Sequence, residues 1–302
     1  MANNKAFKIK NGLEATRYLG TTSTLTAVTG MTSSFLQTSG DNASWVQKTA
    51  DISAYGGAVV RPVYHYDMIA DVFTADLQLD NIVIGGNTYD FQSGSQNWQT
   101  TTTDTAIGSY DSASFTTIGA TAIYTGRVNR DTGGTPSTGT GRTDDADGNG
   151  DGVGFYLYFE TTNPANSANY DFLLRGPEIT LPANPTWTWY EARSGTSMGN
   201  LDAYLYLSNH LLNIDISQAN SFTYTPSGNT AINFTNPPAS GTAIGFTLEI
   251  INTGGHTLTW SSSIKWHGGT APTTTSTKEI YSFITTDGGT TYFGRKAAED
   301  VQ

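Results

Sequence analysis

Apolar and polar positions alternate most cleanly over residues 213–302. There Phe222-Thr-Tyr224, Ala231-Ile-Asn-Phe234, Gly245-Phe-Thr-Leu-Glu-Ile-Ile251, Thr257-Leu-Thr-Trp260 and Ile280-Tyr-Ser-Phe-Ile284 are short segments, each closed by a turn signal. Alternation with a period of two marks strands with one buried face, so this stretch predicts a compact antiparallel β module. Asn252-Thr-Gly-Gly255 joins the third segment to the fourth, and Asp287-Gly-Gly289 joins the fifth to Thr290-Thr-Tyr-Phe293. Glycine in both supplies the positive φ that a tight hairpin needs.

Upstream, Phe73, Ala75, Leu77 and Leu79 share one face, and Asn81-Ile-Val-Ile84 and Thr88-Tyr-Asp-Phe91 flank Gly85-Gly-Asn87, a hairpin signature. Further strands are expected at residues 113–117, 120–128, 154–160, 170–174, 186–191 and 201–207. Phe155-Tyr-Leu-Tyr-Phe159 is apolar on both faces and suits the middle of a sandwich, whereas Leu201, Ala203, Leu205 and Leu207 alternate with Asp202, Tyr204 and Tyr206 as in a sheet with one wetter face. No segment sustains a helical period; Asp67–Phe73 comes nearest. In residues 1–56, Phe7 and Ile9 alternate before Asn11-Gly12 and only scattered apolar positions follow, so this part reads as an extended arm ordered by packing against a neighbour. Composition changes near Asn209–Asn213, where a domain boundary is placed. The expected fold is all-β: an N-terminal extended arm or anchor (1–56), a central antiparallel β-sandwich or jelly roll (57–208), and a smaller C-terminal antiparallel β-sandwich module (213–302).

Composition narrows the partners. Charged residues are 14% of the chain, so solubility rests on neutral polar side chains, which suit exposed β surfaces. A net charge of −11, from 15 Lys and Arg against 26 Asp and Glu, argues against nucleic acid and against an anionic membrane surface. The basic cluster Lys5, Lys8 and Lys10 reads, on its own, as a solvated arm. Cysteine is absent, which excludes disulfides and thiolate sites. No apolar stretch reaches the length of a signal peptide or membrane span, so synthesis in a cytoplasm, no Sec-type export and no membrane insertion are expected.

The low-complexity stretch Asp131–Gly152 is expected to be a long surface loop. Within it Asp145-Ala-Asp147-Gly-Asn149-Gly150-Asp151 sets oxygen ligands at alternate positions with Gly at the sixth, as a loop wrapping a hard cation requires. Asp145, Asp147, Asn149 and Asp151 are therefore candidate calcium ligands. The twelfth position is Tyr156 instead of a bidentate Glu and no helices flank the segment, so such a site needs a remote carboxylate such as Glu160 or Asp144. The same run also reads as a solvated acidic loop, and no cofactor is required. His65, His210, His256 and His267 lack metal-ligand spacing and read as turn residues. No nucleophile elbow or phosphate loop occurs, and Glu160, Glu178 and Glu191, the glutamates of the central domain, are expected at edges or on the surface, so no catalytic residue is assigned. Trp187 and Trp189 lie two apart and hence on one strand face, a candidate pair for stacking on sugar rings, with core or subunit-interface packing as the other reading.

One further signal lies in wording. Phe222-Thr-Tyr-Thr-Pro-Ser-Gly228, Ile232-Asn-Phe-Thr-Asn-Pro-Pro-Ala-Ser-Gly241, Ile244-Gly-Phe-Thr-Leu-Glu249, Leu258-Thr-Trp260, Ile264-Lys-Trp266, Gly269-Thr-Ala-Pro272 and Phe283-Ile-Thr-Thr-Asp-Gly-Gly-Thr-Thr-Tyr292 resemble the C-terminal module of virion structural proteins from marine tailed bacteriophages, cyanophages among them. Asn4-Lys-Ala-Phe-Lys-Ile-Lys-Asn-Gly-Leu13 resembles their opening, so the resemblance covers residues 1–20 and 213–302. It implies a non-enzymatic virion component made in the host bacterial cytoplasm, a tail fibre or appendage contributing to assembly and host attachment. It also implies an N-terminal anchor carried by Lys5, Phe7, Lys8, Ile9 and Lys10, a homotrimer, and as partners other virion proteins of tail, neck or capsid together with a host surface glycan. A head decoration protein and a glycan-binding or glycan-degrading receptor-binding protein are the alternatives. Oligomerisation has a physical motive as well, since a β-rich chain with few edge charges is prone to edge-to-edge association as a monomer.

Overall fold

The chain is all-β. A computed structural model describes residues 22–25, 27–40, 42–67, 75–101, 105–118, 128–135, 141–150, 152–160, 171–195, 198–275 and 277–301. In chain order the strands are β1 (Thr22–Leu25), β2 (Val28–Met31), β3 (Leu36–Thr38), β4 (Asn42–Ala50), β5 (Val59–Asp67), β6 (Ala75–Ile84), β7 (Asn87–Tyr89), β8 (Gln99–Thr101), β9 (Phe115–Thr117), β10 (Val128–Asp131), β11 (Tyr156–Phe159), β12 (Asp171–Arg175), β13 (Ile179–Thr180), β14 (Trp187–Gly195), β15 (Asn200–Asp215), β16 (Ser221–Tyr224), β17 (Thr230–Thr235), β18 (Ile244–Ile251), β19 (Leu258–Trp260), β20 (Ile264–Trp266), β21 (Lys278–Thr285) and β22 (Tyr292–Ala298). They fall into two compact units: Met1–Val28 with Leu211–Gln302, and Thr29–His210. The division lies inside the 16-residue β15, which the composition change near residue 209 does not interrupt.

In the unit formed by the two ends of the chain, one layer is a six-stranded sheet in the order β1-β16-β18-β21-β22-β20. The other layer is β19, β17 and the last residues of β15. Leu212 and Ile214 on β15, Ile232 and Phe234 on β17 and Leu258 on β19 pack against Phe222, Phe246, Leu248, Ile250, Tyr281, Phe283 and Tyr292 of the six-stranded sheet. Phe234 is central, with its ring 4.8 Å from Phe246 and 4.9 Å from both Phe283 and Tyr292. The turn signals at Asn252-Thr-Gly-Gly255 and Asp287-Gly-Gly289 predict β18–β19 and β21–β22 hairpins; β21–β22 is present and antiparallel, and β18 pairs antiparallel with β21. Asp287-Gly-Gly289 makes the second of these turns, with φ of 73° at Gly288 and 80° at Gly289 and the Asp287 carboxylate accepting from Thr291 N and Thr285 Oγ1, both at 3.0 Å.

The other turn behaves differently. β18 and β19 do not pair, and β19 instead joins β17 in parallel, as β1 joins β16, β16 joins β18 and β20 joins β22. Asn252-Thr-Gly-Gly255 therefore carries the chain from one layer to the other. The buried Asn252 side chain holds it there, donating to the carbonyls of His256 (2.8 Å) and Thr275 (3.1 Å) and accepting from His256 N (2.9 Å). A buried amide that satisfies three backbone groups fixes a corner without needing a hairpin.

The second unit, residues 29–210, is also a sandwich. One sheet runs β10-β11-β6-β14-β4 with β7 also paired to β6; the other runs from the first part of β15 through β5, β12 and β8 to β9, with β13 on β5 and β2 and β3 on β15. Large aromatics fill the space between them: Tyr64, Tyr66, Phe91, Trp98, Phe159, Trp187 and Trp189 are all fully buried. β11 is buried at every position, in accord with its unbroken apolar run. The expected arm is corrected here. Residues 29–56 belong to this unit, and β4 pairs with β14 from Ala50↔Trp187 to Val46↔Glu191. As an edge strand β4 buries only Ala50 fully, so its sequence shows little of the apolar alternation that reveals a strand. Lys5, Phe7, Lys8, Ile9 and Lys10 lie outside the described residues, as do most of 67–73 and 120–128.

Candidate functional site

Two places gather polar chemistry, one in each unit. In the 29–210 unit, β6 alternates Leu77 and Leu79, which enter the core, with Asp76, Gln78 and Asp80 on the opposite face. That face is not open to solvent: Asp76, Gln78 and Asp80 are each fully buried. The segment at residues 141–150 lies over it, with Gln78 exchanging hydrogen bonds with the backbone of Arg142 and Trp45 Nε1 donating to Asp144 O at 3.2 Å. Residues 147–150 are exposed as a surface loop should be, while Asp145 is buried on the inner side of the segment. Gly154 belongs to the same closure, because a Cβ there would lie 1.9 Å from Asp145 Oδ2.

The cover brings three carboxylates together. One oxygen from each of Asp80, Asp145 and Asp147 lies within 4.8 Å of the others. Asp80 comes from the sheet, where Asn81, at φ 46°, kinks the strand and donates its backbone N–H to Asp80 Oδ1 at 2.7 Å. Asp80 Oδ2 accepts from Ala146 N at 2.8 Å. Asp145 accepts from Asn149 N (2.8 Å), Asn149 Nδ2 (2.6 Å) and Gln92 Nε2 (3.0 Å), and Asp147 from Asn81 Nδ2 (2.7 Å). Five of the six oxygens therefore already accept an N–H. Burial above all, with the neighbouring Asp147 and Asp145 charges adding, pushes the Asp80 carboxyl up to about 8.

This changes the ligand set that spacing suggests. Asp145 and Asp147 do converge, and Asn149 stands beside them with its backbone N–H and Nδ2 donating to Asp145. Asp151 lies outside the described residues. Asp80, which the loop pattern could not reveal, takes part instead; its one sequence signal is an acidic residue in register with the apolar alternation of β6.

Trp187 and Trp189 are corrected as a sugar platform. They share a face, as their spacing says, but it is the inner one: both have 0% exposure. Trp187 Nε1 donates to Tyr64 Oη at 3.0 Å, Trp189 Nε1 to Glu191 Oε2 at 3.2 Å, and no ring face remains for a ligand. Glu160 and Glu191 are likewise buried, not at the surface. Glu191 accepts from Thr38 Oγ1 at 3.0 Å and faces Lys48 Nζ at 3.6 Å, while the buried Arg193 beside it donates to Thr38 Oγ1, Gly40 O and Gly199 O. These polar groups are invisible to a rule that places carboxylates outside, because their partners Thr38, Gly40, Lys48 and Gly199 come from other segments of the chain.

The second place is a groove of ≈ 1030 Å³ on the outer face of the six-stranded sheet. Register builds it in two rows. One row runs Ser221, Thr247, Ser282 and Arg295 across β16, β18, β21 and β22. The next runs Gly245, Ile284, Phe293 and Lys265 across β18, β21, β22 and β20. Ile284 and Phe293 form a cross-strand pair and are 45% and 57% exposed, two of the three exposed large apolar side chains among the described residues. His267 also lines the groove, and its backbone N–H is held by Gly294 O at 3.0 Å. No sequence motif marks this site, because its residues come from strands separated in the chain and meet only through register.

No protein-family model, no curated protein and no solved structure matches the chain.

Proposed function

We propose that the chain is a non-enzymatic structural component of a tailed-bacteriophage virion, a tail fibre or appendage that contributes to assembly and host attachment. The observation that carries this reading is where its family-like wording falls. Residues 213–302, which resemble virion proteins, make up most of one compact unit, which β1 helps to close by adding to β16. The unrelated residues 29–210 form an insertion with its own core. A common unit interrupted by a self-contained domain is the organisation expected of a particle protein whose attachment to the virion is shared and whose outward part varies. Among the described residues no helix is long and apolar enough to cross a membrane. The carboxylates that cluster are tied up by N–H donors, which suits a structural role better than acid–base catalysis.

The test is to raise antibodies against the purified chain and image labelled phage particles, with light scattering on the free protein alongside. Label on the tail and a trimeric mass support the reading. Label on the head would replace it with capsid decoration, and a chain absent from purified particles would overturn it.

A further inference from the structure

From the outer groove of the end-to-end unit we infer a binding site for an acidic polysaccharide, a polymer of sugars bearing carboxylate or sulfate groups. The inference rests on the attachment role proposed above and names the chemistry that role would recognise. Three independent features of the groove point the same way.

First is charge. The chain carries −11 overall, yet the ionisable residues lining the groove are Lys265, Arg295 and His267, with no carboxylate among them. The lysines of this unit that form ion pairs, Lys278 and Lys296, pair with Glu249, Glu279 and Glu299, and none of these glutamates lines the groove. A cationic concavity on an acidic protein sets a local field that concentrates anionic ligands there.

Second is the pairing of surface types. The Phe293 ring, 57% exposed beside Ile284, offers an apolar face. Ser221, Thr247 and Ser282 lie in the adjacent row. Sugar rings present C–H faces and hydroxyl edges together, so an aromatic face beside a line of hydroxyls matches them, and the flanking Arg295 and Lys265 match their acidic substituents.

Third is Gly245. It sits within β18, where glycine weakens a strand, and its backbone needs no left-handed φ. A Cβ there would meet only Phe283 O at 3.7 Å. Gly294 is different, since a Cβ there would press to 3.0 Å on Ile264 and Phe283 in the core. Packing therefore explains Gly294 and leaves Gly245 unexplained, except as the open floor of a groove that something enters.

The test is calorimetric titration of the full chain with polygalacturonate, dextran sulfate and neutral dextran, at low salt and again at about 0.5 M salt, where exposed charge pairs are screened. Binding to one or both acidic polymers, lost at high salt and absent with neutral dextran, is expected; the two acidic arms separate carboxylate from sulfate. Phe293→Ala, the double change Lys265→Ala/Arg295→Ala, and Gly245→Val, which fills the floor, should each weaken binding by about tenfold or more. All four positions face outward, so the variants should keep the parent melting temperature. Failure of both acidic polymers to bind, or binding that all three variants leave unchanged, overturns the inference. So does an oligomer that Phe293→Ala dissociates, because the groove would then be a contact between copies. Any of these leaves tail labelling of particles untouched, whereas a chain that binds acidic polymer but is missing from particles defeats the virion reading alone.

Discussion

Glu279→Gln should destabilise the end-to-end unit by about 3 kcal/mol, the low end of the cost of breaking a buried ion pair. Glu279 is fully buried at the start of β21. It accepts from Lys296 Nζ at 2.6 Å, Tyr281 Oη at 2.8 Å and both the backbone N–H and the hydroxyl of Thr275 at 3.1 Å. Glutamine keeps one oxygen and replaces the other with a donor. Tyr281 can rotate its hydroxyl to accept, but the Lys296 ammonium, whose side chain is only 16% exposed, loses its main counter-charge. Two weaker partners soften the loss, Thr273 O at 2.8 Å and Glu299 at 3.5 Å. With a urea m-value of about 2 kcal/mol/M, the midpoint of this unit's transition should fall by about 1.5 M. Lys296→Met should cost as much or more, since it strands a carboxylate that burial isolates further. The double variant should be less damaged than the sum of the two, by a coupling of at least about 1 kcal/mol. Additive losses, or a midpoint change below about 0.3 M for Glu279→Gln, would mean that the pair does not hold β21 to β22 and that the reasoning is wrong.

Other outcomes are fixed by the 29–210 unit. Burial raises the Asp80 carboxyl from the ordinary 3.8 to about 8, so the stability its proton contributes is complete below about pH 4, drains away between there and about 8, and changes no further above that; melting should fall from pH 5 to about 8 and then level, and Asp80→Asn should flatten that slope. Because five oxygens of the Asp80, Asp145 and Asp147 cluster already accept N–H donors, EDTA should leave the melting temperature unchanged; a fall of several degrees would instead establish a bound cation. Trp187→Phe should cost about 1–3 kcal/mol in urea titration, because the buried Tyr64 hydroxyl loses its donor, and should leave any polysaccharide binding intact. Gly154→Ala should strongly lower the yield of folded protein, as its methyl would meet the Asp145 carboxylate, with protease resistance the convenient readout.

Strand segments with one buried face were legible in the sequence, and so was the fold class. Phe222, Phe246 and Phe283 alternate in the chain just as they do in the core. What escaped were features created by cover and register. β4 looked like an arm because edge strands bury little, and Asp80 drew no notice because nothing near it in sequence announces the loop that covers it. The tryptophan pair showed the right period, but period alone cannot distinguish inward from outward. The groove was the least legible of all, since Thr247, Ser282 and Arg295 become neighbours only once three strands are aligned.

The parallel pairing of β1 with β16 also sets a timetable. Residues 22–25 leave the ribosome early, yet their partners at 221–224 come nearly two hundred residues later, a separation that would ordinarily make closure slow. The intervening domain shortens that search. β2, directly after β1, pairs with β15, which runs on toward β16, so once residues 29–210 have folded the two distant strands hang from adjacent threads. Synthesis from the N-terminus favours that order, with the insertion folding first and the outer unit following when its last strands emerge. A destabilised insertion would then delay or misdirect closure of the other unit, coupling the two through kinetics.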